Sequence, residues 1–242
     1  MSGLLGIDIG TTHCKAAVFT ADGECKALAI KPTPLRKDQA GYDAYDPDEL
    51  WGTARSLISE AAERAGTPIE AVGVSSMAET GLLMDRRTGE PVTAFIPWFD
   101  RRAEAEAEEL ARMLDPAAQF RKTGLRPGFK YGLPKLRWLQ KRFPAMLSGS
   151  VWLSASDYIV YRLTGEIATD YTLAARTCAF NIIGKRWDEE TLRAAGFDAA
   201  LFPDALPSGR PAGSLRIGEW SPRGLKAGTP VAISGHDHIC AV

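Results

Sequence analysis

At 242 residues, with 29 basic and 30 acidic side chains, the chain has a formal charge of -1, which excludes the global bias of a nucleic-acid-polymer or anionic-membrane binder. The length suffices for one large core or two modest domains, and Cys14, Cys25, Cys178 and Cys240 form no CxxC pair, so neither a disulfide framework nor a cysteine-built zinc site is expected. No basic leader precedes the first strand and no apolar run approaches membrane-spanning length, so the reading is a soluble cytoplasmic protein in a reducing compartment.

Leu4 to Ile9 and Lys15 to Phe19 read as strands, and the Ala21-Asp22-Gly23 turn leads into a third strand ending near Ile30. From Asp46 to Ala65 the pattern is a helix, with Asp46 as N-cap, Pro47 at the first helical position and Gly66 as its end. Leu50, Ala54, Leu57, Ile58 and Ala61 recur at helical spacing and form its buried face. Ile69 to Val74 is a further buried strand, and Gly81 to Met84 a shorter apolar element. Arg101 to Met113 is expected to be helical with its charges in water, as are the segments Leu133 to Phe143 and Val151 to Gly165. The proline-rich stretch Phe197 to Trp220 reads as a winding connection, after which Val231 to Ile233 restores a strand. The fold class is therefore α/β, with residues 1–228 as one domain and residues 229–242 as the beginning of a second.

Two short stretches carry chemistry. In Asp8-Ile9-Gly10-Thr11-Thr12, Gly10 permits a tight turn whose amides and hydroxyls suit phosphate oxygens, while Asp8 suits a hydrated Mg2+. The plain alternative is a hydrogen-bonded hairpin; neither the P-loop nor the GxGxxG pattern is present. In "ISGHDHI", Asp237 lies at the end of a strand where a carboxylate can take a proton from a substrate hydroxyl. A structural turn is the bland reading of the same residues. Metal binding by His236, Asp237 and His238 is disfavoured, because adjacent side chains on an extended stretch do not readily converge on one ion.

Between them, Glu79 in "SSMAET" can accept two hydroxyls, Trp98 in "IPWFDRR" can cover the apolar face of a carbohydrate, and Asp100 can bind its polar edge. Trp98 equally suits a core position, Met77 either the core or the same pocket, and Arg101 and Arg102 suit salt bridges to Asp100 or to the next helix.

Taken together, "GIDIGTTHCKAAVFTADG", "SSMAET", "IPWFDRR", "SASDYIVYRLTG", "TDYTLAARTCAFNIIGKRW" and "ISGHDH" resemble, in order and over essentially the whole chain, the FGGY carbohydrate kinase family. The resemblance implies a ribonuclease-H-like (actin-like ATPase) domain with a mixed sheet and packed helices. It implies a substrate-binding kinase domain over residues 1–228 and the entrance to an ATP-binding domain at 229–242. It further implies ATP and Mg2+ as cofactors, with Asp8 near the Mg-nucleotide, Gly10, Thr11 and Thr12 in the phosphate loop and Lys15 at a basic position beyond it. Glu79 and Trp98 correspond to polyol-recognition positions, flanked by Met77, Ala78 and Asp100; "FKYGLPKLRW" resembles a segment supplying an aromatic wall, which would be Tyr131; Asp237 matches the catalytic base.

The implied partner is a small sugar or polyol, with homodimerisation left open. Three departures bear on its identity. Glycerol kinases commonly place Arg before the position of Glu79, where this chain has Ala78; xylulose kinases tend to a Met-His pair there; and His238 stands where relatives often carry Gln or Asn. Glycerol is therefore a secondary candidate. Two other functions stay open: an actin-like-fold ATPase or chaperone in which Asp237 orients water, and a non-catalytic sugar- or nucleotide-binding module.

Overall fold

The computed structural model describes residues 2–216 and 224–241. In chain order, the elements that build the site begin with strands β1 (Gly3–Ile9), β2 (His13–Phe19) and β3 (Cys25–Pro32), helix α1 (Pro47–Ala65), and strands β4 (Ile69–Ser76) and β5 (Gly81–Asp85). Helices α2 (Glu104–Met113) and α3 (Gly132–Arg142) follow, then β6 (Ser150–Ser154), α4 (Ala155–Thr164) and the short α5 (Tyr171–Ala175). Strands β7 (Pro211–Ser214) and β8 (Pro230–His236) and the turn of helix α6 (Asp237–Cys240) complete the set.

Six strands form one mixed sheet in the order β7-β8-β4-β1-β2-β3. The β1, β2 and β3 meander is antiparallel, whereas β4 runs parallel to both β1 and β8. Parallel neighbours need a crossover, and α1 supplies the one between β3 and β4. Three parallel strands thus end at the same edge, where Ile9, Ser76 and His236 come level, one residue beyond Asp8. Such an edge, at the carboxyl ends of strands, is where open α/β sheets place ligands.

Alternation decides which face is covered. Leu5, Ile7 and Ile9, Cys14, Ala16 and Val18, Val72 and Val74, and Val231 and Ile233 all point to one buried side. Against it lie α1 and α4, and every residue expected on the buried face of α1 is fully enclosed. The caps of α1 are also as expected: Asp46 accepts hydrogen bonds from the amides of Asp48 and Glu49, Pro47 opens the helix, and Gly66 closes it at φ 60°. Asp46→Ala is expected to lower stability by about 1 kcal/mol, read as a lower urea midpoint with unchanged slope. A second cluster, including Leu83, Leu110, Leu136, Trp138 and Trp152, packs α2 and α3 against β5 and β6.

The structure departs from the sequence reading in three places. Val151 to Gly165 is not one helix: Ser150–Ser154 is a fully buried strand paired with β5, and the helix begins only at Ala155. A capping box sets that boundary, because Ser154 and Asp157 satisfy each other's backbone amides. Not every charge of the 101–113 segment faces water, since Glu106 is buried and ion-paired with Arg142. The winding connection contributes the edge strand β7; its last residues, 217–220, lie outside the described residues.

The division expected at 228/229 falls in the loop between β7 and β8, which are neighbours in one sheet. No helix among the described residues is long and apolar enough to cross a membrane.

Candidate active site

The turn between β1 and β2 is held from behind. A Cβ on Gly10 would lie 2.6 Å from the His13 carbonyl oxygen, so the bend requires glycine. Thr33 donates its hydroxyl to the Gly10 carbonyl at 2.7 Å and its amide to that of Thr12 at 3.0 Å. Asp8 accepts from Ser75 Oγ at 3.3 Å and pairs with Lys15 Nζ at 3.4 Å, both side chains remaining partly exposed. Thr11 turns its hydroxyl elsewhere: Oγ1 accepts from Trp98 Nε1 at 2.9 Å and donates to Met77 Sδ at 3.6 Å. The side chain expected on phosphate therefore ties the hairpin to the expected polyol wall.

The segment after β4 carries Glu79 at φ 60°, an uncommon conformation for a residue with a side chain. Two cations stabilise it. Lys135, fully enclosed on α3, donates to the carbonyls of Glu79 at 2.6 Å, Pro97 at 2.9 Å and Ile96 at 3.2 Å. Burial pushes its amine down to about 7, against the opposing pull of Glu79 and Asp100. Arg176, immediately after α5, donates Nε to Glu79 Oε1 at 3.0 Å, with Nη2 closer still on the same oxygen. Lys135 thus clamps the backbones that present Glu79 and Trp98, while Arg176 orients the carboxylate.

Asp237 opens α6 beyond the end of β8. His236 Nε2 lies 3.2 Å from its Oδ1, and the His238 amide donates to the same oxygen at 2.7 Å. Burial pushes the Asp237 carboxyl up, but these hydrogen bonds and the two imidazoles outweigh it and hold the group below the ordinary carboxylate range. Both contacts fall on Oδ1, so Oδ2 has no hydrogen bond among the described residues.

A cleft of about 200 Å³ brings together Thr11, Met77, Ala78, Glu79, Trp98, Asp237 and His238 from the sequence reading. Trp98 is 39% exposed, which is consistent with a ring that faces a ligand rather than the core. Lys130 and Arg176 share the lining without having been expected there, and so does His236, which the sequence reading weighed only as a disfavoured metal ligand. Nothing local links Arg176 to Glu79, 97 residues away. A lysine on the buried face of α3, beside Leu136 and Leu139, was a signal that could have revealed Lys135.

Asp8, Gly10, Thr12 and Lys15 belong to the β1–β2 hairpin and do not line the cleft, and two of the expected substrate contacts also stand apart from it. Asp100 is only 5% exposed, and Arg102 takes both its oxygens, at 2.8 and 3.0 Å. Arg102 also reaches Asp38 and the Asp43 carbonyl, so Asp100 anchors a loop instead of lining the cleft. Tyr131 is buried as the residue before α3, with Lys130 and Arg176 each 5.3 Å from its ring centre; it backs the cleft without lining it. The expectation that His236, Asp237 and His238 would not converge is also corrected. Their ligand atoms lie within 4.8 Å of one another, because the chain enters a helical turn at Asp237 and the two imidazoles stack at 5.0 Å.

Residues 4–242 match the model of the FGGY family of carbohydrate kinases, N-terminal domain. A glycerol kinase from Albidiferax ferrireducens is 35% identical over 96% of this chain and 48% of its own length, and one from Trichlorobacter lovleyi is 33% identical over 100% and 50%. The chain spans about half the length of the curated relatives it matches. Among solved structures, xylulose kinase from Rhodospirillum rubrum superposes with a TM-score of 0.90 at 27% identity, covering 98% of this chain and 50% of that one. Gluconate kinase from Lactobacillus acidophilus gives 0.89 at 24% identity, covering 98% and 48%, a likeness of fold.

Proposed function

The chain belongs to the FGGY family of carbohydrate kinases, and from that we propose that the protein carrying it phosphorylates a hydroxyl of a small sugar or polyol at the expense of ATP, with Asp237 as general base. The observation that carries the proposal is a carboxylate held below its ordinary range, with no hydrogen bond on Oδ2 among the described residues, in the same cleft as Trp98 and Glu79.

Each residue's part follows from its contacts. Trp98 offers an apolar face to the C–H side of a polyol, its ring fixed by the Nε1 bond to Thr11. Glu79 gives Oε1 to Arg176 and keeps Oε2 for substrate hydroxyls. Asp237 Oδ2 takes the proton of the attacking hydroxyl as its oxygen bonds to phosphorus, which makes that oxygen a better nucleophile. Water is excluded as the cleft closes around the substrate.

The hairpin suits a magnesium-bound phosphate. Asp8 is a partly exposed carboxylate, Lys15 a cation beside it, and Gly10 permits the tight bend, against the His13 carbonyl, whose amides would meet a phosphate. Asp8 would hold the hydrated Mg2+, with Lys15, Thr12 and the turn amides on phosphate oxygens. When bound, Mg-ATP supplies the phosphoryl group. We place the second, ATP-binding domain after β8 instead of at residue 229, since β8 is hydrogen-bonded within the first sheet. We also place the reaction in a reducing cytoplasm, in keeping with four free cysteines.

The test is a panel of pentuloses, aldoses, alditols and glycerol, given with Mg-ATP to the full-length protein and followed by mass detection of phosphorylated products. One small polyhydroxylated substrate should be preferred. ATP consumption that no polyol changes, with no phosphorylated product, would favour the ATPase reading. Glu79→Ala should weaken polyol affinity by about 10- to 100-fold, the worth of hydrogen bonds to a charged group. Equilibrium titration of the folded variant checks this, and unchanged affinity removes Glu79 from recognition.

A further inference from the structure

We propose that α5 sets the spacing between the base and the polyol-binding carboxylate, with Thr172 as a positioning residue for Asp237 and Arg176 as one for Glu79; this rests on the kinase reading above. Thr172 and Arg176 are four residues apart, so they project from one face of a single helical turn. One end of that face reaches the strand end that carries the base, and the other reaches Glu79.

At the first end, Thr172 donates its hydroxyl to Asp170 Oδ2 at 2.8 Å and accepts the His236 amide proton at 2.8 Å. His236 immediately precedes Asp237 and also touches its Oδ1. The orientation of the base therefore depends on where Thr172 Oγ1 sits. That position is set from below by Asp170, which is 1% exposed and also accepts from the amides of Thr172 and Leu173 and from Ser208 Oγ. It is set from above by Gly235 at φ 125°, where a Cβ would lie 2.6 Å from Thr172 Oγ1. Backbone and hydroxyl approach so closely that only glycine fits. At the other end, Arg176 places both donors of its fork on one Glu79 oxygen, and its guanidinium lies over the Tyr131 ring.

The two contacts should be separable in kinetics. Losing the Thr172 acceptor frees the turn that aims Asp237 but leaves the polyol contacts in place. Displacement of a reacting group by a fraction of an ångström to 1 Å corresponds to about 10- to 100-fold in rate. Thr172→Val should therefore lower kcat by that factor, with polyol Kd within about twofold of wild type. Thr172→Ser keeps the hydroxyl and should restore kcat. Arg176→Met should act mainly on polyol Kd, raising it about tenfold.

The experiment uses full-length protein with the preferred polyol from the panel, measuring kcat, KM and equilibrium polyol binding, with a urea titration of each variant. Thr172→Val is also introduced beside Asp237→Asn. If Thr172 acts through the base, it has no further effect on kcat there, whereas a general loss of structure lowers both backgrounds alike. Should Thr172→Val fail to fold, Thr172→Ala removes the same acceptor and is read in the same way. An active wild type with Thr172→Val at the same kcat, or Thr172→Ser no better than valine, overturns this inference alone. A wild type that makes no phosphorylated polyol overturns the kinase reading and this inference together.

Discussion

Asp237→Asn is expected to lower kcat for phosphoryl transfer by about 100- to 10,000-fold, the range a positioned general base contributes. The amide matches the carboxylate in size and can keep its oxygen toward the His238 amide, so the turn at the start of α6 stays in place. What is lost is the lone pair on the free side of the group that takes the hydroxyl proton. Polyol affinity should change little, because Glu79 and Trp98 are untouched. Since its hydrogen bonds hold the Asp237 carboxyl below the ordinary carboxylate range, it is ionised throughout the neutral range, and the acid limb of the kcat profile should lie below that of an ordinary aspartate. Single-turnover rates across pH check both points. A variant with wild-type rate would remove Asp237 from the chemistry.

Lys135→Met should destabilise the domain by about 2 kcal/mol or more and weaken polyol binding with it. Methionine fills the same channel, but it leaves the carbonyls of Glu79, Ile96 and Pro97 without their donor, and an unsatisfied buried acceptor costs about 1–3 kcal/mol. Relief from burying a charge offsets part of that loss. Affinity suffers because the left-handed backbone of Glu79 is stabilised by the bond to Lys135. The effect depends on pH in a definite direction. Burial holds the amine at about 7, against 10.5 for a free lysine, so between those values the unfolded chain retains the proton more strongly. Wild type should therefore gain stability relative to the methionine variant as pH rises from about 7 towards 10.5, and that gain should be gone once pH has fallen back to about 7, with little further change below it. Urea titrations of both proteins from neutral to alkaline pH measure this. Equal stability and equal polyol affinity would show that Lys135 does not hold the two segments.

What was legible in the sequence was local. The hairpin around Gly10 and the whole of α1, with Asp46, Pro47 and Gly66 at its ends, are specified by neighbours within a few residues. The assembly of Glu79, Trp98 and Asp237 into one cleft was carried by the family resemblance, since no spacing rule joins residues so far apart. Segment Ser150–Ser154 was misread because a short apolar run has no period that separates strand from helix, although the Ser154 capping box marked the boundary. The Asp100–Arg102 pair was legible as an option from their closeness in sequence, but only the fold shows that Arg102 takes both oxygens and that Asp100 lies outside the cleft. The partners of Arg176 and Lys135 were not legible for a common reason, since each acts on a side chain or backbone brought near only by tertiary packing, although the buried face of α3 marked Lys135 itself.

The central claim, that the cleft passes a phosphoryl group to a polyol hydroxyl with Asp237 taking the proton, is tested most directly by a single-turnover experiment. Full-length wild type and Asp237→Asn, each in excess over Mg-ATP and saturated with the preferred polyol, are quenched over time and assayed by mass for phosphorylated polyol. The account predicts rapid formation of one phosphorylated product by wild type and a rate slower by about 100-fold or more in the variant, with polyol binding retained. Equal rates in the two proteins, or ATP cleaved to free phosphate with no phosphorylated polyol, would contradict it.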